Sequence, residues 1–268
     1  MQDVLQLITD GNLDSALQNT QQNIRKNPAD PKLRILLFQL LCVLGQWDKA
    51  LNQLNVLRDL DALSLLMVQT YEQVLLCEAL RKQVFLAKQT PLIFGEPQEW
   101  IALMLEALAL ESRGELLQSE SLRQKALEQV PASAGQIDGV PFAWIADADS
   151  RLGPMLEAMI NGRYYWIPFQ QISQIVIEKP VDLRDMVWIP ANFTWVNEGE
   201  ASGFIPCRYP GSELADDARI KLSRLTDWLD SGEGISRGYG QRLFATDVDD
   251  YALLDVRKIE FMTVPEIE

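Results

Sequence analysis

Gly11 and Ala16 return 34 residues later as Gly45 and Ala50, and Leu13 and Leu17 return as Trp47 and Leu51. A recurrence of that length describes two helices joined by a tight turn. Such a unit cannot bury its apolar face alone, so the chain must stack copies on one another. Within the first copy, Gly11, Ala16 and Pro28 stand at offsets of zero, five and seventeen. The same offsets give Gly114, Ser119 and Pro131. Glycine permits the turn, the small residue lets the helices approach closely, and proline ends the second helix by withdrawing a backbone donor.

The period is that of the tetratricopeptide unit, which the amino-terminal half resembles. Leu13, Ala16, Leu17, Thr20 and Ile24 share one face, as do Trp47, Ala50, Leu51, Leu54 and Leu57. Between them Pro31 opens a helix through Leu33, Leu36, Leu37, Leu40, Leu41 and Leu44, too rich in leucine for an exposed element. The middle is irregular, because Gly114 follows Gly45 by 69 residues and no turn glycine stands near residue 79. A long helix from about Leu60 to Lys88 accounts for this, followed by a break at Pro91–Gly95 and a helix opening at Glu96-Pro97-Gln98. About seven helices fit before Pro131. A stack of this kind offers a concave surface to a partner helix or an extended peptide.

The chain has 268 residues and a net charge of −14, with 12 basic against 16 acidic residues up to Pro131 and 12 against 22 after it. So acidic a chain repels phosphate backbones and anionic lipid, which argues against nucleic-acid and membrane partners. The amino terminus lacks a basic region and the most apolar stretch, Leu33–Leu44, contains Arg34 and Gln39, so neither a signal peptide nor a membrane span is expected. Cys42, Cys77 and Cys207 lie far apart in apolar contexts and read as buried thiols, consistent with a cytoplasmic protein. There is no histidine, which excludes Ser-His-Asp and Cys-His catalysis and imidazole ligation of zinc.

Past Ser133–Gly139, a short polar linker, the pattern changes to strands. This divides the chain into a helical repeat domain, 1–134, and an α+β domain, 140–268, with a mixed or antiparallel sheet. Strands are expected at 142–146, 163–169, 172–178, 186–190, 193–197, 203–208, 243–248 and 254–263, with Asn197–Glu200 as a hairpin turn. Two helices are expected: one with Pro154 in its first turn and Gly162 at its end, and one from Ser212 carrying Leu214, Ala218, Leu222, Leu225 and Leu229 over the sheet. The Gly232–Gly240 stretch lacks dinucleotide-binding spacing and reads as a flexible turn. Of the five tryptophans here, Trp144, Trp166, Trp188, Trp195 and Trp228, about two in three are expected in the core and the others at an interface.

The strand ending in Asp147-Ala148-Asp149 has the local form by which haloacid-dehalogenase-type phosphotransferases place a nucleophilic carboxylate beside magnesium. That superfamily needs alternating strands and helices, whereas strands follow here, and the later acidic cluster, Asp247-Val248-Asp249-Asp250, sits near the carboxyl terminus without a matching lysine. A structural reading of the same residues is helix capping and an ion pair between the carboxylates and Arg151.

Longer motifs carry a more specific likeness. Trp144-Ile145-Ala146-Asp147-Ala148-Asp149-Ser150-Arg151-Leu152-Gly153-Pro154 is followed by Ile160–Pro168, by Asp182-Leu183-Arg184-Asp185-Met186-Val187-Trp188, by Ile205–Gly211 and by Gly240-Gln241-Arg242. In this order they resemble the ImpE/SciE (TagJ) family across nearly the whole chain. The resemblance implies a non-enzymatic, cytoplasmic accessory protein of bacterial type VI secretion without cofactors. Its implied partners are the small subunit of the contractile sheath and the ClpV-type AAA+ ATPase that recycles it. The family supplies no agreed catalytic residues. The motif residues Trp144, Asp147, Asp149, Arg151, Tyr164, Trp166, Arg184, Asp185, Trp188, Arg208 and Tyr209 therefore enter as candidates for partner binding or for a structural corner. A magnesium-dependent phosphatase centred on Asp147 and Asp149, and a scaffold of some other complex, are the alternative readings.

Overall fold

The computed structural model describes residues 2–230 and 236–262. Seven helices come first: α1 (Gln2–Thr9), α2 (Leu13–Lys26), α3 (Pro31–Val43), α4 (Trp47–Leu60), α5 (Leu65–Phe85), α6 (Glu99–Ser112) and α7 (Leu116–Gln129). Gly11, Gly45 and Gly114 close the turns before α2, α4 and α7 at φ of 79°, 65° and 81°. A side chain is strained there, which is why glycine marks the period. Asp30 caps α3 by accepting from Lys32 N at 2.9 Å, with Pro31 in the first turn.

The irregular middle resolves into α5 and a strand. Leu60 ends α4, a 3₁₀ turn spans Ala62–Ser64, and α5 stops at Phe85. Strand β1 (Leu92–Ile93) then leaves the helical array and pairs in parallel with β6 (Arg163–Pro168).

The remaining strands are β2 (Gly135–Ile137), β3 (Val140–Phe142), β4 (Ile145–Asp147), β5 (Met155–Ile160), β7 (Ile172–Ile177), β8 (Trp188–Trp195), β9 (Glu200–Pro206), β10 (Thr226–Asp230), β11 (Ser236–Gly240), β12 (Leu243–Thr246), β13 (Asp250–Ala252) and β14 (Lys258–Phe261). Together with β1 and β6, seven of these form a nine-stranded sheet ordered β1-β6-β5-β9-β8-β7-β14-β2-β3, antiparallel at each junction except the first. Strands β13-β12-β4 make a small second sheet and β10-β11 a hairpin.

Alternation along the strands gives the large sheet two apolar faces. Leu156, Ile175, Ile189, Phe193 and Ile205 face Ile145, Phe244 and Leu253 of the small sheet and its loops. Met155, Met159, Tyr164, Trp166 and Trp188 face the helices. Trp188 packs 5.7 Å from Trp47 and 6.1 Å from Tyr71, and Trp166 packs 5.6 Å from Phe85, measured between ring centroids. Helix α3 is consequently buried without interruption from Leu36 to Val43. The surface that α3 and α5 would offer a peptide is covered by the chain's own sheet.

Several expectations need correction. Residues Met155–Ile160 form a strand, not a helix, and pair with β6 through Asn161 and Gly162 at φ of 50° and 71°. Both central residues at positive φ make a hairpin turn whose twist suits the flanking strands. The expected helix from Ser212 to Leu229 is replaced by a 3₁₀ turn at Ser212–Leu214, a single turn α8 (Ala218–Lys221) and strand β10. Arg208 donates to the Lys221 carbonyl at 2.5 Å, and Ser223 turns left-handed at φ 53° while its hydroxyl donates to Met186 O at 2.6 Å, which stops the helix. Helices α3 and α5, in place of that amphipathic helix, cover the sheet. Strand β8 is continuous where two strands were expected, and the expected linker contains β2. Of the glycine-rich stretch, 231–235 lie outside the described residues and Ser236–Gly240 is strand β11.

Candidate functional site

Buried charges converge between α5 and the helix-facing side of the sheet. Strand β5 is buried on both faces, yet it carries Glu157 at its centre. A carboxylate is tolerated there only with cationic partners that also satisfy its lone pairs. Arg81 of α5 supplies Nε at 2.7 Å and Nη2 at 2.9 Å, Arg242 pairs with the same carboxylate, and the Tyr164 hydroxyl donates at 2.5 Å. Trp166 Nε1 donates to Tyr164 Oη at 2.7 Å, so the aromatic row of β6 fixes the tyrosine.

The pairing extends in both directions. Arg242 also pairs with Asp147, at the end of β4. Glu78, one turn before Arg81, lies 3.6 Å from it and accepts from Trp188 Nε1 at 2.8 Å. Asp149 accepts from Arg151 Nε at 2.8 Å and from Gly238 N at 2.9 Å, which ties the Asp147–Pro154 turn to β11. The Arg151 guanidinium lies 4.9 Å from the Phe85 ring centroid. Arg208 donates to Cys42 O, Val43 O and Lys221 O at 2.9, 2.7 and 2.5 Å, satisfying the end of α3.

Of the remaining candidates, Tyr209 is buried and its hydroxyl receives Leu243 N at 3.0 Å. Asp185 closes the 3₁₀ turn Leu183–Met186 by accepting from Val181 N and Asp182 N, each at 2.8 Å. Half-buried Arg184 pairs with Asp182 and lies 4.8 Å over the Tyr71 ring. Trp144 alone of the eleven is exposed, at 42%. The helix expected after Asp149 is absent, so neither carboxylate caps one. Asp147 instead accepts from Asp149 N at 2.9 Å, whereas the ion pair with Arg151 is present. Trp166, Trp188 and Trp195 are core; Trp228, like Trp144, is exposed. All three cysteines are free and buried.

Glu78, Arg81, Glu157 and Arg242 were not among the sequence candidates. An uninterrupted apolar strand with one acid at its centre is the signal for Glu157, since such an acid requires a buried cation. Nothing near Arg81 or Arg242 identifies them as its partners.

Chemically this arrangement balances charge. Guanidinium and backbone donors occupy the oxygens of Asp147 and Asp149, so a cation would have to displace arginine. No group of three or more metal-ligating side chains occurs among the described residues. Burial, opposed by Arg242 and reinforced by Asp149, pushes the Asp147 carboxyl up to about 7. For Glu157 burial acts in the same sense, but Arg81 and Arg242 overcome it and hold the group at about 2.

The signs of these two shifts predict different pH windows. Asp147 binds its proton more tightly folded than unfolded, so its contribution is complete below pH 3.8 and lost as pH rises through about 7. Glu157 contributes above pH 4.5 and loses that contribution as pH falls toward 2. Urea midpoints of the parent are expected to decline between pH 5 and 8, and Asp147→Asn to flatten that decline. An equal slope in both proteins would contradict the assignment.

Comparison with known proteins agrees with this architecture. A tetratricopeptide-repeat model matches residues 7–67, and a model described as ImpE protein matches 139–260. The type VI secretion system accessory component TagJ of Pseudomonas aeruginosa is 47% identical over 256 residues, covering 96% of this chain and 90% of that one. A crystal structure of a Vibrio parahaemolyticus protein superposes with a TM-score of 0.90 at 22% identity, covering 99% of this chain and all of that one. At that identity the likeness speaks for the fold.

Proposed function

The chain belongs to the ImpE family, and from that premise we propose that it is a non-catalytic, cytoplasmic adaptor of type VI secretion that binds the small sheath subunit, the ClpV-type recycling ATPase, or both. The observation that carries this reading is the 47% identity to a secretion accessory component across both the helical and the sheet halves. The buried charges support it: Arg81, Glu157 and Arg242 join α5, β5 and the loop between β11 and β12 internally and face no cleft, as expected of a body that presents surfaces. No helix among the described residues is long and apolar enough to cross a membrane.

The test uses the full chain. Isothermal titration against purified small sheath subunit and against the ATPase amino-terminal domain is expected to give saturable binding to at least one, with a Kd of about micromolar or tighter. The absence of heat and of co-elution with both proteins would overturn the reading. Phosphoester hydrolysis that disappears in Asp147→Asn would overturn its non-catalytic part.

A further inference from the structure

The register of the large sheet places Glu200, Thr194, Gln174 and Glu260 side by side on the helix-facing side, with Ser202, Asn192, Val176 and Lys258 in the next row. These rows lie beyond the area that α3 and α5 cover. Asn192, Ser202 and Glu200 are exposed, and the others in the rows are half-buried. Where α5 meets this open half, a groove of about 510 Å³ runs between Thr70, Gln73 and Cys77 on one wall and Asn161, Asn192 and Ser202 on the other. Glu178 is the only charged residue lining it. A depression of about 360 Å³ over β7, β8 and β9, bordered by Glu200, continues it across the strands.

Two features give the groove a chemical preference. Leu66 stands one turn before Thr70 on the same face of α5 and is 77% exposed, and Leu63 beside it is 95% exposed. Apolar side chains so fully exposed, next to a groove with polar walls, mark an anchoring point for another protein. Around the groove the charge is acidic: Glu178, Glu200 and Glu260 stand against Lys258, which is itself paired with Glu260 at 2.6 Å. The carboxamides of Gln73 and Asn161 are exposed on its walls, available to a visiting backbone.

We propose that this groove, from Leu63 and Leu66 along α5 to Glu178 and Glu200, docks a basic amphipathic segment of the partner protein. Apolar side chains of that segment cover the leucines and a cationic one meets the glutamates. The inference rests on the adaptor reading and gives its surface. Charge complementarity selects a heterologous partner over a second copy, because two copies would bring net charges of −14 and two acidic faces together.

Glu178→Arg with Glu200→Arg, and separately Leu66→Asp, alter exposed positions only, so both proteins are expected to keep the parental circular dichroism and melting temperature. The probes are purified small sheath subunit and the ATPase amino-terminal domain, titrated into each full-length protein. The double charge reversal is expected to weaken the interaction by about tenfold or more and to abolish its weakening by salt, and Leu66→Asp to weaken it by about as much. If the parent binds a probe and both variants bind it within about twofold, the docking surface is overturned while the adaptor reading stands. If the parent binds neither probe, both fall. A parental dimer in size-exclusion chromatography that the charge reversal dissociates would overturn the heterologous occupant.

Discussion

Glu157→Gln is expected to lower the unfolding free energy by about 3–5 kcal/mol, the cost of depriving two buried guanidinium groups of the anion they share. Glu157 is fully buried and shared by Arg81 and Arg242. Glutamine keeps the shape and accepts from Tyr164, so the loss isolates the charge. Urea denaturation monitored by tryptophan fluorescence measures it. Adding Arg81→Met to the variant removes one of the two cations that shared Glu157 and is expected to recover part of the loss, because Arg242 still has Asp147 and Glu78 keeps the Trp188 N–H. A single variant within about 1 kcal/mol of the parent would mean that water already solvates the cluster.

Trp188→Ala is expected to cost about 3–5 kcal/mol, and Trp188→Phe about 1–3. The alanine variant removes the ring packed between Trp47 and Tyr71 and leaves a cavity where α3, α4 and α5 meet the sheet. Phenylalanine retains most of that packing but takes the indole N–H from Glu78, whose carboxyl burial already pushes upward. The two denaturation curves separate packing from hydrogen bonding. Equal losses would mean that the hydrogen bond dominates.

Much of the helical half was legible because a turn that demands positive φ restricts residue choice. Gly11, Gly45 and Gly114 therefore fixed the period, and the proline-led α3 followed from its leucines. Strand β5 differs from the helix its residues suggest for a physical reason. Met155-Leu156-Glu157-Ala158-Met159-Ile160 contains good helix formers and, being buried on both faces, has no alternation. The Asn161-Gly162 dipeptide that follows it was the stronger signal and favours a hairpin. The helix expected from Ser212 through Leu229 stops at Ser223, whose hydroxyl is held by the carbonyl of Met186, distant in sequence. Carboxylates of the motif were visible as residues but not as a cluster, since Arg81 lies 76 residues from Glu157 and Arg242 lies 95 from Asp147.

Those separations bear on how the chain folds. Each ion of the cluster is costly to desolvate until its partner arrives, and the partners come from α5, β5 and a loop after β11. The loops that bring them together are long, so their closure entropy must be met before the ion pairs return any stability. Helices α2 to α4 can form early from local contacts, whereas insertion of Arg81 and Arg242 beside Glu157 belongs to the final docking of array on sheet. Strand β1, reaching from the array to β6, shortens the path for that step. Folding is thus expected to end in one slow closure in which packing and charge neutralisation occur together, and partly closed chains would expose both the tryptophan row of the sheet and the leucine face of α3.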